Sequence, residues 1–366
     1  MIYDLIVTGG GPAGTSAAIT AARSGARVLL LERGQFPRHK VCGEFVSAES
    51  LDLLATLLDS SQSPLLHGAV RIPQARFYLD GRLLTTAINP PAASIARLNL
   101  DAALWHSAER TGVESRQRVT VQDIAGTGPF RVMTMAGEFE TRALINASGR
   151  WSNLNAPTAD NGSSGERWLG LKAHFAEAAP EASVDLYFFE GGYCGVQPVN
   201  LNEQKGKMGR VNASAMVRAD VASSLSEVLL CHPQLRDRSR KWKPLSNPVS
   251  TSPLMFRDPQ PERNGVLMAG DAVAFVDPFI GDGISLALRS GSLAGQCLVS
   301  FFRGKISLSE AVRAYSETYQ QQLASVFRAS SRIRQMLGLP RSVRRPVLSV
   351  LEKVPAVTDY LVRKTR

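Results

Sequence analysis

The opening of this 366-residue chain constrains its fold more than any other feature. An apolar run at residues 3–8 (YDLIVT) leads into the turn Gly9-Gly10-Gly11-Pro12-Ala13-Gly14. An alanine-rich stretch over 15–24 with helical character follows and is closed by Gly25. A second apolar run, 26–31 (ARVLLL), then ends at Glu32. Strand, helix and strand within about 30 residues make a βαβ unit and so require a parallel sheet. The spacing Gly9-x-Gly11-x-x-Gly14 is weak evidence alone. It becomes specific because it sits between a strand and a helix, with an acid 18 residues beyond Gly14. Gly9 permits the tight turn, Gly11 lets backbone approach a pyrophosphate, and Gly14 lets the helix lie against the strand. Pro12 and Ala13 belong to the same turn, which leads into a helix whose free N–H groups and partial positive charge favour an anion. Glu32 stands where a carboxylate accepts hydrogen bonds from an adenosine ribose. The alternative is a glycine-rich turn with no ligand.

The remainder reads as one large globular body with two or three structural units. Apolar residues make up 44% and charged residues 20%, which excludes a disordered or fibrous chain. There is no uninterrupted apolar run of membrane-spanning length. Cys42, Cys194, Cys231 and Cys297 are far apart with no CxxC pair, so neither a disulfide scaffold nor a metal site is expected. With no basic leader before the first strand, a cytoplasmic location is expected. A helix is predicted over 94–111, a strand over 142–147, a strand over 265–269 and a helix from about 283 to 301. Between 168 and 217, four strand-like runs separated by glycine or polar turns predict an antiparallel sheet. From Ser309 onward the chain reads as helices broken at Pro340, Pro346 and Pro355.

A second glycine-rich stretch decides between nucleotides. Gly270-Asp271 follows the 265–269 strand, and Asp277-Pro278 through Gly281-Asp282-Gly283-Ile284 opens a helix, giving a second anion-friendly terminus. With these residues in place, the chain resembles the flavoproteins of the para-hydroxybenzoate hydroxylase group, and within it the geranylgeranyl reductase-like flavoproteins. GGGPAG with Glu32, Arg97 through Asp101 on a helix, the turn Ala147-Ser148-Gly149, and Gly270-Asp271 with Asp277–Gly283 carry the resemblance. So do FPRHKVCGE (36–44) and GGYCGVQPV (191–199). It covers about residues 1–310. It implies an α/β protein: a glutathione-reductase-type Rossmann FAD-binding domain (1–60, 90–164 and 262–310) and an inserted antiparallel-sheet substrate domain (61–89 and 165–261). Residues 311–366 would be a basic helical C-terminus. It further implies that Arg33, Arg38, Lys40, Val41, Cys42, Arg97, Val119, Ser148, Gly149, Gly270, Asp271, Pro278, Gly281, Asp282, Gly283 and Ile284 join the first glycines and Glu32 in holding FAD. Cys42, Gly43, Tyr193 and Cys194 would be positioned at the flavin face.

Each reading has a plainer competitor. Arg97 also fits a surface helix arginine paired with Asp101, Cys42 a small core residue, and Tyr193 and Cys194 ordinary strand residues. The sheet over 168–217 is rich in large apolar residues at alternating positions. It either backs a ligand on one face or is buried on both. The chemistry implied is reduction of a carbon–carbon double bond in an isoprenoid or other hydrophobic small molecule by hydride from reduced flavin. The alternative is NAD(P)H- and oxygen-dependent hydroxylation of an aromatic or polyketide substrate. No second GxGxxG unit exists, so NAD(P)H or a reduced carrier would donate electrons transiently. A halogenase resemblance is weaker: halogenases carry a lysine between flavin and substrate, and here no lysine lies between Lys40 and Lys172. Residues 326–366 hold ten basic and two acidic groups, net +8 of the chain's +10. That suits an anionic membrane surface, hence a peripheral association at the inner face of the membrane, or else a solvated basic lid. Nucleic acid is not expected, for the tail lacks interleaved aromatics and no nucleic-acid motif is present.

Overall fold

In the computed structural model the residues described are 2–60, 63–150, 167–200, 209–252, 254, 256–337 and 339. The basic segment from 340 to 366 lies outside them, as do 151–166 within the expected FAD domain. Two sheets organise the rest. The first has eight strands. Its central path runs Val266–Met268, Gly137–Asn146, Ile2–Thr8, Val28–Glu32, Glu114–Gln117, with every neighbour parallel. The predicted βαβ unit is its centre: Leu5 pairs with Val28 on one side and with Ala143 on the other. Both faces of this sheet are covered, which is why its strands read as continuous apolar runs rather than alternating ones. Leu5, Val7 and Leu30 pack under the helices Pro12–Arg23, Arg97–Arg110 and Gly283–Cys297. Ile6, Leu29 and Leu31 pack on the other side against Val121, Phe130 and Val132 of a small meander.

Small residues fix how those helices meet. A Cβ on Gly291 would lie 2.0 Å from the Ala13 carbonyl oxygen, and one on Gly295 2.9 Å from that of Ala17. Ser16 Oγ donates to the Leu288 carbonyl at 2.8 Å. The Pro12–Arg23 and Gly283–Cys297 helices therefore touch backbone to backbone.

The second sheet has nine strands. The four predicted strands are present as Trp168–Glu177, Val184–Phe189, Gly192–Pro198 and Gly209–Arg218, paired antiparallel in the spatial order first, fourth, third, second, so that Trp168–Glu177 lies beside Gly209–Arg218. One pairing departs from the prediction. Val184–Phe189 runs parallel to Val70–Leu79, because that strand and its partner Arg82–Ser94 enter the sheet as a long hairpin from elsewhere in the chain. One face is sealed by Leu171, Tyr187, Cys194, Val196, Ala213 and Val217 against two short helices carrying Leu225, Val228 and Leu235. The opposite face presents Gly170, Leu186, Phe188, Tyr193, Gly195 and Met216 to a cavity. The sheet is thus packed on one face and lines the cavity with the other. The helix Ala324–Leu337 closes the far side: Val326 and Phe327 are buried, while Ile333, Met336 and Leu337 face the cavity. Among the described residues no helix is long and apolar enough to cross a membrane.

Candidate functional site: one cavity with a nucleotide end and an apolar end

The cavity has a volume of ≈ 790 Å³ and runs from the first glycine-rich turn to the apolar face of the second sheet. At the turn, Gly9 adopts φ +100. A Cβ there would stand 2.3 Å from the Ala147 carbonyl oxygen, so only glycine fits. Gly11 caps the helix and Pro12 is its first residue, where a missing N–H costs nothing. A Cβ on Gly11 would meet nothing nearer than Lys40 Nζ at 3.7 Å and Arg97 at 4.0 Å. The turn is thus an open cradle facing two cations. Arg97 is held bidentately by buried Asp101, both contacts at 2.8 Å, and it also lines the cavity. Arg97 therefore makes the helix pair with Asp101 and also stands at the cavity wall. Among the described residues the nearest anion to Lys40 is Asp101, at 4.0 Å. Burial lowers its ammonium to about 8, with Asp101 opposing and Arg97 and Arg38 adding to the fall. A half-buried cation beside an open glycine cradle and a helix N-terminus fits a bound pyrophosphate.

Glu32 is buried and accepts from Gly10 N at 2.8 Å, Gly34 N at 2.7 Å and Arg38 Nη2 at 2.7 Å. These three donors fix the carboxylate at the cavity wall. Gly10, which the motif leaves unassigned, has its own reason to lack a side chain: a Cβ would meet the Trp105 ring at 2.5 Å. At the other glycine-rich stretch, Gly270 and Gly281 take φ of 62 and 77. Gly283 and Ile284, at the N-terminus of the Gly283–Cys297 helix, face the cavity. The backbone contact between the two helices brings their N-termini to one cavity. The protein thus supplies a pyrophosphate cradle, a ribose carboxylate and a second helix N-terminus, and these residues fit FAD.

Every site residue named from sequence lines the cavity except Gly14, Asp282 and Cys194. Gly14 serves the turn itself, since a Cβ would fall 1.8 Å from the Gly9 oxygen. Asp282 turns away and accepts from Ser47 Oγ at 3.2 Å, with burial raising its carboxyl to about 6. Cys194 is a correction. Strand side chains alternate, so Tyr193 on the cavity face sends Cys194 into the core behind it, where it is fully buried. Burial pushes that thiol up to about 12. Cys42 and Gly43 stay at the cavity, their carbonyls pinned by Asn212 Nδ2 at 3.0 and 2.9 Å.

Sequence reading missed the group behind that segment. Glu44 sits at φ 63, sparsely populated for a side-chain-bearing residue. It is 0% exposed. Its carboxylate accepts from Lys172 Nζ at 2.6 Å and from Arg97 N at 2.9 Å, and it meets His174 Nε2 at 2.7 Å. Burial opposes its ionisation, but His174 and Lys172 outweigh that and hold its pKa below the usual carboxylate value. The partners lie 128 and 130 residues away, so no spacing announces them.

The profile of the FAD dependent oxidoreductase family matches residues 4–37. Over 90% of its length the chain is 24% identical to digeranylgeranylglycerophospholipid reductase 2 of Methanopyrus kandleri, covering 85% of that protein. It is also 24% identical to tryptophan 2-halogenase of Chondromyces crocatus over 86% of its length, spanning only 65% of the halogenase. A geranylgeranyl bacteriochlorophyll reductase-like protein of Thermoplasma acidophilum superposes with a TM-score of 0.74 at 18% identity, covering 96% of this chain and 91% of that one. A flavin-dependent brominase superposes with a TM-score of 0.80 at 19% identity, covering 100% and 93%. The chain has a Rossmann-type nucleotide fold and resembles FAD-dependent oxidoreductases over most of its length. Its resemblance to the geranylgeranyl reductase-like flavoproteins holds in both relatives and structures. The halogenases do not stand behind the reductases in overall likeness, contrary to the sequence-based expectation.

Proposed function

We propose that this protein reduces a carbon–carbon double bond of an isoprenoid or similarly hydrophobic molecule. One observation carries the reading: the nucleotide cradle opens directly into a chamber walled by Phe77, Leu186, Phe188, Met216, Phe275 and Met336. Such a wall offers apolar burial and few polar anchors, which suits a hydrocarbon chain. Bound FAD would supply hydride to the double bond; the chain supplies orientation, water exclusion and a proton. The helix N-terminus at Gly283–Ile284 would stabilise negative charge on the reduced cofactor. The lysines support a reductase over a halogenase. Lys40 sits at the cradle, and Lys172 is 1% exposed, bound to Glu44 and absent from the cavity wall. Among the described lining residues, no lysine faces the apolar chamber.

Electrons would come from NAD(P)H or a reduced carrier. The basic chain beyond residue 339 would rest on an anionic bilayer, each near-surface cation contributing about 1 kcal/mol. The test presents geranylgeraniol in vesicles containing phosphatidylglycerol to the reduced holoenzyme without oxygen. The expected product carries two added hydrogens, and removing residues 340–366 should slow its formation from vesicles but not from detergent. Product made only with oxygen, and hydroxylated, would move the assignment to a monooxygenase.

A further inference from the structure

Hydride addition to a double bond leaves a carbon that needs a proton, and an apolar chamber excludes the water that would give it. The chamber wall contains one hydroxyl backed by a buried acid. Tyr193 faces the cavity from the sheet, its ring packed against Phe188 and Phe279 at centroid distances of 5.5 and 6.0 Å. Its Oη lies 3.2 Å from Asp277 Oδ1. Asp277 is 1% exposed, and its Oδ2 has no hydrogen-bond partner among the described residues. The groups facing Asp277 come from three elements: Tyr193 from the sheet, the Phe279 N–H from its own turn at 3.4 Å, and Ser330 and Arg334 from the Ala324–Leu337 helix. Arg334 acts on it through charge, its guanidinium stacked over Phe256 at 3.7 Å.

We infer that Tyr193 donates the substrate proton and that Asp277 re-protonates it. This rests on the reductase reading and deepens it. The balance is complete. Loss of the hydride would leave the cofactor oxidised by two electrons; one alkene carbon gains a C–H bond as the π bond breaks, and its electron pair is left on the neighbouring carbon. The Tyr193 O–H bond breaks as a C–H bond forms at the neighbouring carbon. The Asp277 proton passes to the phenolate over the existing contact, and solvent later restores it. Two properties of the pair suit the task. Burial pushes Asp277 up to about 7, against the opposing Phe279 N–H, Arg334 and Tyr193, so the carboxyl holds a proton near neutral pH. Burial, and then Asp277 itself, keep Tyr193 well above its ordinary value, so the phenol does not ionise until substrate takes its proton.

Two measurements test this. In the anaerobic reaction with geranylgeraniol, Tyr193→Phe and Asp277→Asn should each slow substrate reduction at least tenfold while flavin content and flavin reduction stay at wild-type levels. The wild-type rate should fall above about pH 7, and the Asp277→Asn rate should lose that dependence. Wild-type rates in either variant would overturn the assignment. The second measurement needs no substrate. Infrared difference spectra of the holoenzyme should show a protonated carboxyl band at pH 6 that is lost by pH 8, is missing in Asp277→Asn and is displaced in Tyr193→Phe. A carboxyl that titrates below pH 5 would overturn the pair. An inert wild-type enzyme with the expected infrared band would overturn the reductase reading instead.

Discussion

At the nucleotide end of the cavity the wall is a glycine cradle flanked by charged side chains; at the apolar end it is apolar side chains. Gly9, Gly11 and Gly149 face one region, and Phe77, Leu186, Phe188 and Met336 the other. The difference follows from what each end must recognise. A pyrophosphate is bound by N–H groups and helix dipoles, which come from any sequence that allows close approach, so glycine spacing is the signature. A hydrocarbon is bound by shape and burial, which many apolar combinations satisfy, so no fixed spacing results. Ion pairing differs in the same way. Arg38–Glu32 at the nucleotide end has side-chain exposures of 30% and 4%, whereas Lys172–Glu44, beneath the Cys42–Gly43 segment, has 1% and 0%.

Two glycine substitutions break the comparison hardest. Gly14→Ala places a methyl 1.8 Å from the Gly9 oxygen, forcing the turn and helix apart. A loss on the order of 3 kcal/mol is expected, with a lowered denaturation midpoint. Gly11→Val meets only the ends of Lys40 and Arg97. The protein should keep its midpoint within about 1 kcal/mol but purify without flavin, because the new side chain fills the cradle. A yellow Gly11→Val protein would refute the nucleotide-end assignment. Lys172→Met tests the buried pair next. Removing Lys172 leaves the buried Glu44 with only His174 and the Arg97 N–H, so a loss of about 3 kcal/mol is expected. Lys172→Met with Glu44→Gln should recover part of it. Arg38→Ala, at a partly exposed pair, should cost about 1 kcal/mol or less. Equal losses at the two pairs would erase the distinction between the buried pair and the partly exposed one.

The same contrast explains what the sequence made legible. The βαβ unit was readable because every part of its logic lies within thirty-odd consecutive residues. The Val70–Ser94 hairpin entered the sheet domain only through the resemblance and was not readable as strands, since it carries Asn89-Pro90-Pro91 and its burial does not alternate cleanly. Tyr193 and Cys194 shared one motif, and only the sheet's pairing decides which of two adjacent side chains faces the cavity. Ile333 and Met336 sit on a helix whose arginines read as a solvated face, and its docking against the cavity is long-range information. The acid–phenol pair escaped notice for the same reason: Tyr193 and Asp277 are 84 residues apart.

The pH dependence of stability offers a smaller effect that sharpens the contrast. Asp277, at the apolar end, holds its proton to about 7 in the folded protein, against 3.8 for the free carboxyl. Between those values the folded chain binds more protons at this site than the unfolded chain. The site's contribution to stability is therefore full below about pH 4 and is lost as pH rises through 7, amounting to about 4 kcal/mol at most. Asp282 shifts in the same direction, but it is present in wild type and variant alike and cancels in their difference. Asp277→Asn removes the ionisable group. Its melting temperature should equal or trail that of wild type at pH 5 and exceed it at pH 8, as read by paired thermal melts across that range. Lys40, at the nucleotide end, carries the opposite sign. Its folded value of about 8 lies below the ordinary 10.5, so a penalty on the folded cofactor-free protein is present at neutral pH and relaxes as pH rises through that interval. Bound pyrophosphate would restore the charge and remove that penalty. Flavin loading should therefore flatten the alkaline limb of the stability curve while leaving the Asp277 difference in place. If loading changed the Asp277 difference instead, the two ends would not be electrostatically separate.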